Sequence, residues 1–230
     1  QLIVFGGGGW IMEPLNPLLD LYLLGATRRE RPRVCLVPTA AGDAAAYVDR
    51  FLEAFPEELC EPTWLSLFSR RVTDLGEFLA EQDLVYVSGG NTVNLLAVWR
   101  AQGLDRVLEE VLAAGTIFCG VSAGALCWFE SGITDSYGPA LSPLGNGLGL
   151  LEGSFCPHYD SDPRRPAAYR DFVARTGVPG IALEDGVALH YVDGKLARVV
   201  TSRPGTCGFR FTPGGEGGVA VDPLLPEYLG

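Results

Sequence analysis

The chain has 230 residues, 47% of them hydrophobic and 20% charged, which is enough apolar side chain to bury a core and excludes a disordered chain. Lysine and arginine number 17 against 28 acidic side chains, a net charge of −11, so the clustered positive surface that nucleic acids and anionic membranes require is not expected, and small molecules are. Only two histidines, His158 and His190, and one lysine, Lys195, are present, which all but excludes a phosphate-cradling Gly-Lys-Ser/Thr loop, a Schiff-base lysine and a multi-histidine metal site.

In chain order, residues 2–5 predict a strand that runs into the glycines 6–9, and residues 16–24 a helix. A second strand is expected at 33–37, then a helix over 44–55 with Asp43 as its N-cap. A weaker strand at 64–67, a short helix at 75–80 and a buried strand at 84–87 follow. Helices are predicted at 92–100 and 104–114, the second from its apolar positions 104, 107, 108, 111 and 112, and a strand at 116–119. Such alternation predicts an α/β fold with a mostly parallel sheet, helices on both faces and ligands at the carboxyl ends of the strands.

Beyond Phe129 glycine and proline recur, and a long irregular loop of functional rather than idle character is expected. A helix over 166–175 comes next, then a β-hairpin of 187–192 and 196–200 around Asp193-Gly194-Lys195. The tail 213–230 is expected to wrap the surface. Neither a repeat nor a linker is evident, so one domain over 1–230 is the expectation.

The six cysteines are scattered without a C-x-x-C pair, as buried reduced thiols are. The uncharged stretch 111–129 is broken by Gly115, Gly120 and Gly124, and no charged segment precedes 2–5. A cytoplasmic protein with no membrane partner is expected; a homodimer is left open.

The strongest local signal is Gly120-Val121-Ser122-Ala123-Gly124, between a buried strand and a helix-compatible segment. A serine on such a turn exposes its hydroxyl above the sheet, and the next N–H points where an oxyanion would form. The alternative is a glycine-rich junction needed only for packing. A serine nucleophile needs a base, and of the two histidines His158, in Cys156-Pro157-His158-Tyr159, is the better placed, because His190 alternates with apolar neighbours as a strand residue does. Ser88-Gly89-Gly90-Asn91-Thr92 is a second donor loop whose Gly90 N–H would pair with that of Ala123, or else a plain turn with Thr92 as N-cap. The run 6–9 does not complete G-x-G-x-x-G, since Ile11 stands at its last position. On residue type alone Asp135, Asp160, Glu184 and Asp185 are near-equal candidates for the acid.

Taken together, Gly-x-Ser-Ala-Gly-Ala, Ser-Gly-Gly-Asn-Thr, Pro-His-Tyr and Gly180-Ile-Ala-Leu-Glu-Asp-Gly-Val-Ala-Leu189 resemble the S51 serine peptidases, which include peptidase E (aspartyl dipeptidase) and cyanophycinase. The resemblance spans nearly the whole chain. It implies a three-layer α/β sandwich similar to class I glutamine amidotransferases, and hydrolysis of small peptides, Asp-X dipeptides first, without metal or organic cofactor. It assigns the nucleophile to Ser122, the base to His158 and the oxyanion donors to Gly90 and Ala123. The family's glutamate falls on Asp185, one methylene shorter, with Glu184 one residue away, and Asp135 matches a further acidic position. For an acidic substrate side chain the resemblance points to Arg164 and Arg165, with Arg203 as another option; the planar guanidinium suits carboxylates.

Overall fold

The computed structural model describes residues 1–214 and 218–230. Of the predicted tail, residues 215–217 therefore lie outside the described residues. The first strands match expectation: β1 (Leu2–Phe5), β2 (Arg33–Val37), β4 (Leu84–Val87) and β5 (Ile117–Val121). With β3 (Glu61–Trp64) they form a parallel core, ordered β1-β5-β4-β2-β3. On the other side of β1, β10 (Val187–Val192) and β11 (Lys195–Thr201) add an antiparallel hairpin, and β14 (Glu227–Tyr228) closes that edge. Alternation buries both faces. Ile3, Phe5, Val34, Leu36, Leu84 and Tyr86 pack with α1 (Leu18–Ala26) and α2 (Ala45–Ala54), whereas Leu2, Val4, Cys35, Val37, Val85 and Val87 pack with α3 (Leu75–Ala80), α4 (Thr92–Gln102) and α5 (Leu108–Ala113). This is the predicted layering of helices around a mostly parallel sheet.

Several local expectations are corrected. Asp43 does not cap α2: Ala44 occupies that position, and the Asp43 carboxylate instead accepts from Ser66 Oγ and from the Leu67 and Phe68 N–H groups at 2.6, 2.7 and 2.9 Å. Nor is Thr92 an N-cap, because the Asn91 side chain accepts from Asn94 N at 2.8 Å. Strand β3 ends at Trp64 where the predicted one begins. As an edge strand it tolerates Pro62, while the apolar Leu65 and Leu67 that suggested a strand are buried from the following loop. The predicted helix 104–114 is divided at Val107 into a 3-10 turn (Leu104–Arg106) and α5.

The largest correction follows Phe129. In place of a long irregular loop, β6 (Phe129–Thr134), β7 (Ser142–Leu144), β8 (Leu151–Cys156), β9 (Gly180–Leu183), β12 (Gly208–Pro213) and β13 (Val219–Leu224) form a second sheet among the described residues, in the order β13-β12-β9-β8-β6-β7. Phe129 and Phe155 stack inside it with centroids 4.8 Å apart, and α7 (Arg165–Thr176) packs on it through Tyr169, Phe172 and Val173. Two tail segments thus pair in sheets instead of merely covering the surface. No helix among the described residues is long and apolar enough to cross a membrane.

Candidate active site

Four loops meet at one edge of the first sheet because of its strand order. Strands β1, β5 and β4 are parallel neighbours, so their carboxyl ends present Gly6–Gly9, Ser122 and Ser88–Gly90 side by side; β10 runs the other way, so the residues that precede it, Glu184 to Gly186, arrive at the same edge. From the second sheet, β8 runs through Pro157 to His158, whose N–H donates to Gly6 O at 3.3 Å.

Ser122 sits between β5 and the short helix α6 (Ala123–Leu126) at φ 55°, ψ −110°, a conformation rare for a residue with a side chain. His158 is likewise held at φ 54°. These two backbones aim their side chains at one another. His158 Nε2 and Ser122 Oγ are 2.8 Å apart, and His158 Nδ1 lies 2.7 Å from Asp185 Oδ1. An ionised carboxylate can only accept, so Nδ1 carries the hydrogen and Nε2 offers its lone pair to the serine hydroxyl.

Asp185 is 2% exposed. Burial pushes its pKa up, but the His158 hydrogen bond and charge, the Ser161 hydroxyl and the Arg203 guanidinium outweigh burial and hold the carboxyl below its ordinary value. Its main-chain N–H donates to Asp160 Oδ1 at 2.8 Å. The floor beneath the pair is Gly7, where a Cβ would overlap the Asp185 carboxylate and lie 2.8 Å from His158 Nδ1. The glycine run that failed as a dinucleotide motif is thus explained by close approach. That role was missed from sequence; the placement of the run after a central strand was its only signal.

The other predicted acids lie elsewhere. Glu184 turns away, its Oε2 accepting from Cys207 N at 2.8 Å, where it follows the end of β9 while Asp185 lies in the turn that leads to β10. Asp135 is exposed at the end of β6 and lies 4.0 Å from Arg165 Nη2, in no contact with His158. His190 is saturated on β10 by Tyr22 OH and Gln1 Oε1, both at 2.7 Å, and burial pushes its pKa down to about 4.

Gly90 has φ 137°, and a Cβ on it would overlap the Ala40 carbonyl, so only glycine fits where this loop meets the Thr39–Ala41 turn. Ala123 is the first residue of α6, so its N–H has no acceptor inside the helix. Asn91 Nδ2 and Thr92 N donate to Ser136 O and Oγ, both at 2.9 Å, which ties the Gly90 loop to the Asp135–Ser136 turn and so toward Arg165.

The two arginines separate sharply. Arg164 is exposed and spent on Asp162 and Pro139 O, at 2.7 to 2.9 Å. Arg165 is 5% exposed, and among the described residues its Nε and Nη1 have no hydrogen-bond partner. Asp162 Oδ2 stands 3.4 Å from Nε, within ion-pair range but outside hydrogen-bond geometry.

Known proteins resemble this chain in sequence and in fold. The model of Peptidase family S51 matches residues 2–199. The uncharacterized peptidase YgaJ of Bacillus subtilis is 46% identical over 231 residues, covering 100% of this chain and 99% of that protein. Peptidase E of Streptomyces coelicolor is 29% identical over 192 residues, 78% of this chain and 74% of that protein. In fold, the crystal structure of a peptidase from an acI-B1 Actinobacterium superposes with a TM-score of 0.71 at 18% identity, covering 98% of this chain and 93% of that one.

Proposed function

The chain belongs to peptidase family S51, and on that premise we propose that it is a cytoplasmic serine-type peptidase that hydrolyses small acidic peptides, Asp-X dipeptides first among them. The observation that carries this reading is the unbroken hydrogen-bonded chain from Asp185 through His158 to Ser122. Asp185 fixes the imidazole tautomer, and His158 Nε2 takes the serine proton as Oγ attacks the scissile carbonyl. The N–H groups of Gly90 and Ala123 stabilise the oxyanion. As the tetrahedral intermediate collapses, the C–N bond breaks and His158 protonates the leaving amine. Water, deprotonated by the same imidazole, then attacks the acyl-enzyme and releases Ser122. Every step is served by side chains and main-chain groups, so the reaction needs neither metal nor organic cofactor.

The acidic preference rests on Arg165. A buried guanidinium with two nitrogens unpartnered is expensive to leave so, and a substrate carboxylate reaching it would supply a missing acceptor. Arg164, already paired and exposed, takes no part. The six free cysteines fit a reducing compartment.

A panel of Asp-Leu, β-Asp-Leu and Ala-Leu tests the substrate class. Asp-Leu is expected to have a kcat/KM about 100-fold or more above Ala-Leu, since a neutral side chain leaves Arg165 unpaired. Equal turnover of Ala-Leu would overturn the role of Arg165, and preference for β-Asp-Leu would replace the α-linked substrate by an isoaspartyl one.

A further inference from the structure

We propose that the ion pair between Glu13 and Arg203, outside the Ser122–His158–Asp185 chain, positions the Asp185 turn and sets the charge beneath the base. The inference rests on those three residues being catalytic. Glu13 comes from the loop after β1 and Arg203 from the turn after β11, 190 positions apart in the chain. Both oxygens of the Glu13 carboxylate are filled, Oε1 by Arg203 Nε and Oε2 by Ser202 Oγ, each at 2.7 Å, and Asn16 Nδ2 secures Ser202 O at 3.0 Å. The Glu13 side chain is only 7% exposed and that of Arg203 36%. Fully exposed pairs of this kind contribute little, but a carboxylate buried this far is costly without its partner.

The pair lies against two glycines, one beside the Gly7 floor and one beside Asp185. A Cβ on Gly8, next to the Gly7 floor, would lie 2.7 Å from Glu13 Oε2; one on Gly186, next to Asp185, would lie 2.8 Å from Arg203 Cγ. Main-chain bonds complete the bracket, Gly186 N to Gly7 O and Ser202 N to Gly186 O, each 2.9 Å. Arg203 is thereby tied to the Asp185 turn from one side while Glu13 holds the glycine floor from the other.

Charge gives the pair a second consequence. Facing Asp185 are His158, the Ser161 hydroxyl, the Asp160 carboxylate at its N–H, and Arg203; Glu184 is turned toward Cys207. Arg203 supplies a positive charge on the Asp185 side, and Glu13 offsets it. Removing Arg203 leaves an uncompensated negative charge that favours the protonated His158–Asp185 pair, so activity should appear at higher pH. Loss of Glu13 does the reverse.

The test follows the rate of Ser122 labelling by a fluorophosphonate against pH, which needs no knowledge of the substrate. The acidic limb should move up by about half a pH unit in Arg203→Gln and down by about as much in Glu13→Gln, while Arg203→Lys keeps the wild-type limb. Limbs that stay fixed or shift in the same direction in both Gln variants would mean a purely structural pair and overturn the proposal alone. An unlabelled wild type would instead overturn the catalytic reading, and the proposal with it.

Discussion

At Gly7 the main chain passes so close beneath His158 and Asp185 that a methyl group would overlap the carboxylate. Gly7→Ala should therefore displace Asp185 from Nδ1 rather than disturb the fold at large. Misplacement of about 1 Å is enough for a loss of about 100-fold in kcat/KM, to be read against an unchanged far-ultraviolet circular dichroism spectrum. Gly25→Ala, on α1 with nothing within 4 Å of the added methyl, is the control that should keep full activity. Wild-type turnover in Gly7→Ala would show that the floor is not a constraint. At this scale Ser122 and His158 were legible because their types are chemically distinctive and the chain offers few alternatives. On residue type Asp185 was one of several acids, because carboxylates are common in turns; the resemblance put the family's acid there, with Glu184, which points the other way, beside it. Gly7 was invisible, since nothing in a glycine run says what approaches it.

Among the elements, those buried on both faces were read from the sequence almost to the residue. Strands β1, β2 and β4 are continuous apolar runs closed by turn residues, and α3 shows similarly clear ends. The second sheet was not legible. Its strands β6 and β8 carry Gly132 and Gly153, β7 carries Pro143, and β12 and β13 end on or include proline, so local propensity argues for loop throughout. Tertiary pairing overrides that propensity: β6, β8 and β9 are parallel neighbours whose partners lie 20 or more residues away. The consequence reaches the site, because His158 is delivered by β8. An irregular loop was expected after Phe129, and the form the segment takes is a sheet.

On the scale of the whole molecule, the acidic balance of −11 frames two results. An acidic peptide of the proposed class would be bound against the overall field, which is why the proposal places the weight on the buried Arg165. The protein also buries an acid the reaction does not use. Asp20 lies beneath the aromatic cluster of Trp10 and Tyr86, and burial raises its pKa to about 7 despite a hydrogen bond from the Trp10 main-chain N–H. Because the folded value is raised above the unfolded one near 4, full stability is present at low pH and is lost as pH climbs toward 7. The loss amounts to roughly 4 kcal/mol, from about three pH units at 1.36 kcal/mol each. Asp20→Asn should thus exceed the wild type in urea resistance by distinctly more at pH 8 than at pH 5; an equal difference at both would contradict the burial account.

The central claim, a peptidase whose nucleophile is Ser122, is tested most directly by Asp-Leu hydrolysis with wild-type and Ser122→Ala protein of equal thermal stability. The account predicts that the variant loses at least about 1,000-fold in kcat, as removal of an activated nucleophile does. Turnover by Ser122→Ala at the wild-type rate would contradict it.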